Sequence, residues 1–275
     1  MNAVFSALTH AGRRDGSNQD AIGWNEQQGL WFVADGMGGH ERGQVASALV
    51  KETLLASAAG ADLTERVLEA HRAVMRAGSG SGESSNMGST VVCARLSDRA
   101  CEIVWVGDSR GYLWRRGRLS RLTRDHSYVE SLRQGDRISE EQARLHPEAN
   151  VLTQTLGMGN TIPSRVVLEL QAHDWIILCS DGLTSELNDA AIAELLTKSP
   201  TPQAASERLL DAALAHGGRD NVSIIVVPSR VSCTAALASG WRRLERSALV
   251  WLAALAGAAL AVLVVYLAKH FGMLS

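Results

Sequence analysis

Four aspartates stand where short apolar segments begin or end. Asp35 closes LWFVA and opens into GMGGH, Asp108 follows IVWVG, Asp181 follows WIILCS, and Asp220 precedes NVSIIVV. Strand ends that meet at one edge of a sheet would gather these carboxylates, and burying several of them without partners is too unfavourable to persist. A shared cluster of cations is the natural partner. Hard oxygen ligands, with no accompanying set of His or Cys, favour magnesium or manganese over zinc. One Asp-Gly pair alone reads as a turn. Four acidic strand ends, each inside a longer motif, point to a metal centre.

The elements that must position these residues are short strands. GLWFVADG, STVVCARL, ACEIVWVGD, GYLWRR, SRVVLEL, WIILCSDG and NVSIIVV are β-branched or aromatic runs closed by Gly, Asp or Asn. LSDRA and WRRGRL are turns short enough to make antiparallel hairpins, which excludes a doubly wound parallel sheet. Helices are expected at Gln44 to Ala59, with Val45, Leu49 and Leu54 on the apolar face, and from an Asp62/Glu65 capping box to about Arg76. A further helix is expected from Thr201, before Pro202, to about Ala215.

The chain has 275 residues, 46% of them hydrophobic and 20% charged, with a net charge of −2. This excludes a disordered chain and gives no support to nucleic-acid binding. From Ala248 to Ala268 only Gly257 falls outside the apolar class, and no charge interrupts the run. At 1.5 Å per residue it would span about 30 Å, so the expectation is a transmembrane helix. Arg242, Arg243 and Arg246 before it and Lys269 after it place the bulk of the chain in the cytoplasm, anchored to the inner membrane. The expected organisation is one domain over 1–227, a linker and basic juxtamembrane segment over 228–247, the span over 248–268 and a short tail over 269–275.

Cys93, Cys101, Cys179 and Cys233 form no CxxC pair and suit a reduced, cytosolic setting. The N-terminus lacks the pattern of a secretory signal. Cys93 and Arg99 have the Cys-x5-Arg spacing of cysteine-dependent phosphatases. Cys93 lies inside a strand pattern, however, and LSDRA turns into another strand where a phosphate-cradling helix would have to begin. A packed thiol is the reading favoured.

GSNQDA (16–21), VADGMGGH (33–40), GST (88–90), VGDSRGYL (106–113), LTRDHS (122–127), LGM (156–158), CSDGL (179–183) and GRDNVSIIVV (218–227) occur in order along the chain. Together they resemble the ordered motifs of the metal-dependent PP2C-type serine/threonine protein phosphatases, in their bacterial form. The resemblance covers nearly the whole stretch before the linker. It implies an α+β fold, a central sandwich of two antiparallel β-sheets flanked by helices, and a flap over Tyr128 to Val151. It also implies two Mn2+ or Mg2+ ions, with a third, weaker site.

By that resemblance Asp35 bridges two metals with the Gly36 carbonyl on one of them, and Asp181 and Asp220 complete the other site. Asp20 holds metal-bound water, with Gln19 where many relatives have Glu; Asp108 serves the third metal beside Asp181; Asn221 braces the ligands. Two cations would acidify a bridging water for in-line attack on phosphorus. His40 is the candidate general acid for the departing serine or threonine oxygen, or else a tie for its glycine-rich loop. His126 is read as structural. The family's phosphate-binding arginine position is Asp15 here, so Arg14 is the candidate phosphate ligand, with Arg13 in reserve and a merely solvated pair as the alternative.

The implied function is hydrolysis of phosphoserine and phosphothreonine in phosphoprotein substrates by a monomeric domain, opposing a bacterial serine/threonine kinase at the membrane. A regulatory module that kept the fold without catalysis, and a two-metal phosphodiesterase or small-molecule phosphatase, stay open on sequence grounds.

Overall fold

A computed structural model describes residues 4–13, 16–79, 87–135, 137–139, 142–143 and 145–231 of the chain. The linker from residue 232 onward, the apolar run 248–268, Arg14 and Cys233 lie outside the described residues. Among the described residues no helix is long and apolar enough to cross a membrane.

Two antiparallel sheets form the centre. One has the order β1 (Ser6–His10), β11 (Val222–Pro228), β10 (Trp175–Cys179), β7 (Arg110–Arg115) and β8 (Arg118–Arg121). The other has the order β2 (Asp20–Asn25), β3 (Leu30–Met37), β5 (Val91–Leu96), β6 (Ala100–Val106) and β9 (Ser164–Glu169), with the short β4 (Gly88–Ser89) also paired to β3. Successive side chains of a strand face opposite ways, and here both faces are covered. In β3, Leu30, Phe32 and Ala34 pack with residues of α1 (His40–Ala56) and α2 (Leu63–Ser79). Trp31 and Val33 alternate with them and are equally buried, on the side where β3 touches β10 and β11. The outer face of the first sheet, with Ile177, Ile224 and Val226, packs on α5 (Asp189–Thr197) and α6 (Pro202–His216). The result is helices, two sheets and helices again, the sandwich that the motifs implied.

Local chemistry explains the boundaries. Asp62 Oδ1 accepts the N–H groups of Thr64 and Glu65 at 2.8 and 3.1 Å, starting α2 where the cap predicts. Thr201 Oγ1 accepts Ala204 N–H at 3.2 Å, and Pro202 opens α6. In the β7–β8 hairpin, Arg116 and Gly117 both have positive φ, 51° and 77°, as a two-residue turn between right-twisted strands requires.

Three expectations need correction. The apolar face of α1 is Ala46, Val50 and Leu54, all fully buried, whereas Val45 is largely exposed and Leu49 only partly covered. The phase is set by close approach to β3: a Cβ on Gly36 would stand 1.9 Å from the Gly43 carbonyl oxygen, so the helix seats small residues against the strand. Second, α1 starts at His40, four residues before the expected Gln44. Third, β1 and β2 carry no strong strand signal. Strand β1 (SALTH) is a polar edge strand, and β2 contains Gly23, where a Cβ would lie 2.2 Å from the Phe32 ring.

The segment read as a flap leaves and rejoins the body at one point. Ser127 caps α3 (Tyr128–Gln134), Tyr128 N–H donates to the Val151 carbonyl at 2.8 Å, Ser127 bridges to Leu152, and Thr153 N–H donates to the His126 carbonyl at 2.8 Å.

Buried His71 of α2 holds the LGM turn, because Gly157 N–H donates to its Nδ1 at 3.0 Å. Burial, helped by neighbouring Arg72, moves its pKa below the ordinary 6.5. The unfolded chain therefore takes up this proton first, so the contribution of His71 is complete above about pH 6.5 and is lost as pH falls below it. In urea titrations across that window, His71→Gln should show a shallower pH slope than the parent. At pH 7.5 it should be less stable by about 1–2 kcal/mol, the consequence of an unmatched buried N–H.

Candidate metal centre

The five aspartates singled out by sequence lie at one end of the sandwich. Asp20 opens β2 and stands directly across the ladder from Asp35 of β3. Asp108 follows β6, Asp181 begins α4 (Asp181–Thr184) at the end of β10, and Asp220 precedes β11. Both sheets therefore contribute.

Repulsion is visible at Asp20, Asp35, Asp108 and Asp181. Burial pushes Asp35 well above the usual carboxylate range, and Asp20, Asp181, Asp108 and Asp220 add to the rise. Asp108 is likewise pushed well up, first by burial and then by Asp181 and Asp125. Asp181 rises to about 6, through burial and Asp220, against the pull of a hydrogen bond to Asp35 and the charge of Arg110. Asp20 rises to about 7 by burial, held down in part by bonds from Ser223 and Ser180. Removal of water penalises the charged form, and like charges compound the penalty.

The donor set fits hard divalent cations. Every acidic atom is oxygen, and Asp20 Oδ1 and Asp181 Oδ1 are buried without a hydrogen-bond partner. Among the described residues no three His, Cys, Asp or Glu side chains close into a finished metal cage. Carboxylates crowded at one sheet edge repel, and cations are what would draw them to coordination distance.

Neighbouring residues fix the backbone of this edge. Asp35 N–H points to Thr90 Oγ1 at 3.3 Å, while its carbonyl accepts Thr90 N–H at 2.8 Å and Ser89 Oγ–H at 2.9 Å. Gly36 N–H donates to the Gln19 carbonyl at 3.1 Å, and the Gly36 carbonyl oxygen lies beside Gly43. Gly107 has φ +100°, and a Cβ there would stand 2.6 Å from Thr90 Cγ2. Its N–H donates to His126 Nδ1 at 3.2 Å, while His126 Nε2 meets Ser164 Oγ at 2.9 Å and its ring stacks on Trp105. His126 thus ties the root of the 128–151 excursion to the turn bearing Asp108.

Asn221 clamps the N-terminal loop. Its Oδ1 accepts Gln19 N–H at 2.7 Å, its Nδ2 donates to the Ala11 and Ser17 carbonyls at 2.9 Å each, and its own N–H donates to Asp220 Oδ1 at 2.7 Å. Arg13, exposed, donates its N–H to the Gly218 carbonyl at 2.7 Å, which sets it beside the loop that carries Asp220. Arg14 lies outside the described residues. His40 opens α1 at the edge of the site, and its side chain lies outside what is described.

Sequence reasoning passed over two features. Ser180 and Ser223 bond Asp20, and both flank motif aspartates or asparagines in CSDG and DNVS. Arg110 donates from Nε to both oxygens of Asp125 at 3.1 Å and from Nη2 to Oδ2 at 2.8 Å, and Arg121 pairs with the same carboxylate. A cavity of about 400 Å3 adjoins Asp108, Asp181 and Asp220 and is walled by Arg110, Arg133 and Arg219.

Cys93 is fully buried in β5 between Phe32 and Val104, and burial pushes its thiol far up. A thiolate nucleophile there is excluded by desolvation.

The family model described as protein phosphatase 2C matches residues 9–216. A serine/threonine phosphatase, Stp, of Listeria innocua is 34% identical over 242 residues, covering 82% of this chain and 95% of its own. The Streptococcus agalactiae serine/threonine phosphatase structure has a TM-score of 0.75 at 33% identity, covering 83% of this chain and 99% of that one. The catalytic domain of the serine/threonine protein phosphatase PstP, solved in complex with two manganese ions, has a TM-score of 0.73 at 31% identity, covering 81% of this chain and 96% of that one.

Asn221→Ala should lower stability by about 3 kcal/mol, since three loop groups lose buried partners that are each worth roughly 1 kcal/mol. Asn221→Asp, which keeps only the Gln19 bond, should fall between. Chemical denaturation of the three proteins gives the order directly.

Proposed function

The chain belongs to the protein phosphatase 2C family and is a metal-dependent serine/threonine protein phosphatase, and from that premise we propose the division of labour at its site. Asp35 would serve both of two Mn2+ or Mg2+ ions, the Gly36 carbonyl would assist at one of them, and Asp181 with Asp220 would hold the other. Asp20 orients water through its unpartnered oxygen, and Asp108 with Asp181 offers a third, weaker position. The observation that carries this is the convergence of five carboxylates at one end of the sandwich, two of them with buried, orphaned oxygens.

Bound there, the two cations supply Lewis acidity toward the phosphoryl oxygens and acidify water enough for attack near neutral pH. The residues of the chain do the rest. Carboxylates from both sheets fix the separation of the ligand positions, and Asp20, through its unpartnered Oδ1, would orient the attacking water. As the new P–O bond forms, the bond to the seryl or threonyl oxygen breaks, and that oxygen needs a proton. His40, at the start of α1, is the candidate donor. Arg14, with Arg13 in reserve, is the candidate phosphate ligand on the N-terminal loop, whose Arg13 backbone is pinned beside Asp220.

The substrates on this reading are phosphoproteins modified by a bacterial serine/threonine kinase. Residues 248–268 anchor the enzyme in the inner membrane with the domain of residues 1–227 in the cytoplasm, a reading supported by the uncharged apolar run and its basic flank.

Asp35→Asn should abolish turnover of a phosphothreonine peptide. The loss should exceed the roughly 10- to 100-fold cost of losing an outer-shell partner, because one carboxylate serves both ions. Chelator should silence the parent and Mn2+ should restore it; full activity in EDTA would overturn the mechanism. Cys93→Ser should turn over as the parent does. Alkaline carbonate extraction decides the anchor: it should leave the full chain in the membrane pellet and release a chain truncated near Pro228.

A further inference from the structure

Asp20 is held by side-chain bonds from the opposite sheet. Strand β2, which it opens, belongs to the second sheet, whereas Ser180 ends β10 and Ser223 lies in β11 of the first. Ser180 Oγ–H donates to Asp20 Oδ2 at 2.8 Å and Ser223 Oγ–H donates to the same oxygen at 2.6 Å. Both serines are fully buried.

The Asn221 carbonyl also stands 3.4 Å from Ser180 Oγ, and Asp20 Oδ2, at 2.8 Å, is the nearer acceptor. Ser180 Oγ accepts Ser223 N–H at 3.0 Å, so a lone pair is committed and its proton is left to give. Ser223 Oγ lies 2.8 Å from Thr9 Oγ1, and Thr9 Oγ1 accepts from Asn18 Nδ2 at 2.8 Å. With the Ser223 proton on Asp20, the Thr9 hydroxyl must donate to Ser223. Donors therefore point one way along Asn18, Thr9, Ser223 and Asp20. An ionised carboxylate can only accept, so the row ends correctly at Asp20. Two donors saturate Oδ2. Oδ1 is left buried and unbonded.

We propose that Ser180 and Ser223 are positioning residues of the metal centre, which hold Asp20 across the two sheets by one oxygen so that the other faces the cations and their water. The proposal rests on the two-cation reading above. A hydroxyl pair in this role sets the rotation of the carboxylate about its Cβ–Cγ bond. Thr9 and Asn18 extend the support to β1 and the N-terminal loop.

The test measures Mn2+ binding directly, by the spin-resonance signal of the free ion, in the full chain. The variants are Ser180→Ala, Ser223→Ala, Asp20→Asn and the combination of each serine change with Asp20→Asn; Asp35→Asn is the control. Each serine variant should bind Mn2+ about 10- to 100-fold more weakly, the range for loss of an outer-shell partner. Its KM for a phosphopeptide at saturating Mn2+ should stay near the parent value. In the Asp20→Asn background the serine changes should weaken Mn2+ binding no further, because their effect passes through that carboxylate. Metal-free melting temperatures identify the folded variants. Ser180→Cys and Ser223→Cys, which retain volume and a weak donor, are measured alongside and should fall between serine and alanine. Parent-like Mn2+ affinity in folded alanine or cysteine variants overturns the proposal. If Asp35→Asn also binds Mn2+ as the parent does, the two-cation reading itself fails; if Asp35→Asn loses Mn2+ while the serine variants keep it, only the role of the serines does.

Discussion

Mutual repulsion among crowded and partly desolvated carboxylates governs this end of the molecule. Asp20, Asp35, Asp108 and Asp181 all have their protonated forms favoured first by burial and then by neighbouring carboxylates. Left to itself such a cluster would spread apart or take up protons. It stays assembled because each member is fixed by groups that answer to the surrounding fold. Ladder pairing sets Asp20 opposite Asp35, Thr90 and Ser89 grip the Asp35 backbone, and the turn that only Gly107 can make without strain presents Asp108. The free energy that holds the acids together comes from the apolar layers, where Leu30, Phe32 and Ile177 are fully buried. Stability elsewhere is thereby converted into a site that is poorly satisfied until cations arrive.

Two sheets are needed for this, and so are the contacts between their ends. Asp20 and Asp35 come from one sheet, while Asp181 and Asp220 flank strands of the other. Any change in the spacing or twist of the sandwich would alter the distances among the acids. Asn221 acts against such drift at the N-terminal loop by holding three of its backbone groups at once. His126 does the same for Asp108, through Gly107 and Ser164. The Arg110 guanidinium, forked onto Asp125, adds a fixed positive charge that offsets part of the rise at Asp108 and Asp181.

Much of this was legible in the sequence, because the acids stand at the ends of continuous apolar runs and such runs are what a strand buried on both faces requires. The hairpins followed from short turns, and α2 and α6 from the caps at Asp62 and Thr201. What escaped had a physical reason. Strand β1 is half polar and β2 has a glycine where Phe32 presses on it, so neither shows the β-branched density of a central strand. The phase of α1 was misread because its seat is decided by Gly36 and Gly43, and glycines are silent in an apolar pattern. Ser180 escaped because a hydroxyl next to a motif aspartate reads as a turn residue, and Ser223 because a lone hydroxyl inside the apolar run NVSIIVV gives no sign of the opposite sheet behind it.

The excursion over 128–151 is closed at its base by Ser127, Leu152, Tyr128 and Val151, so in topological terms it is an insertion between two points that already touch. Strand register and the carboxylate edge are set outside it. Lengthening such a segment is thermodynamically cheap, since doubling a flexible loop adds only about 0.6 kcal/mol of closure entropy. Its residues Glu130, Arg133, Ala143 and Asn150 nevertheless wall the cavity next to Asp108 and Asp181. That wall of the cavity can therefore change in length and sequence without moving the strands that carry the acids, so the outline of the cavity and the position of the carboxylates can vary independently.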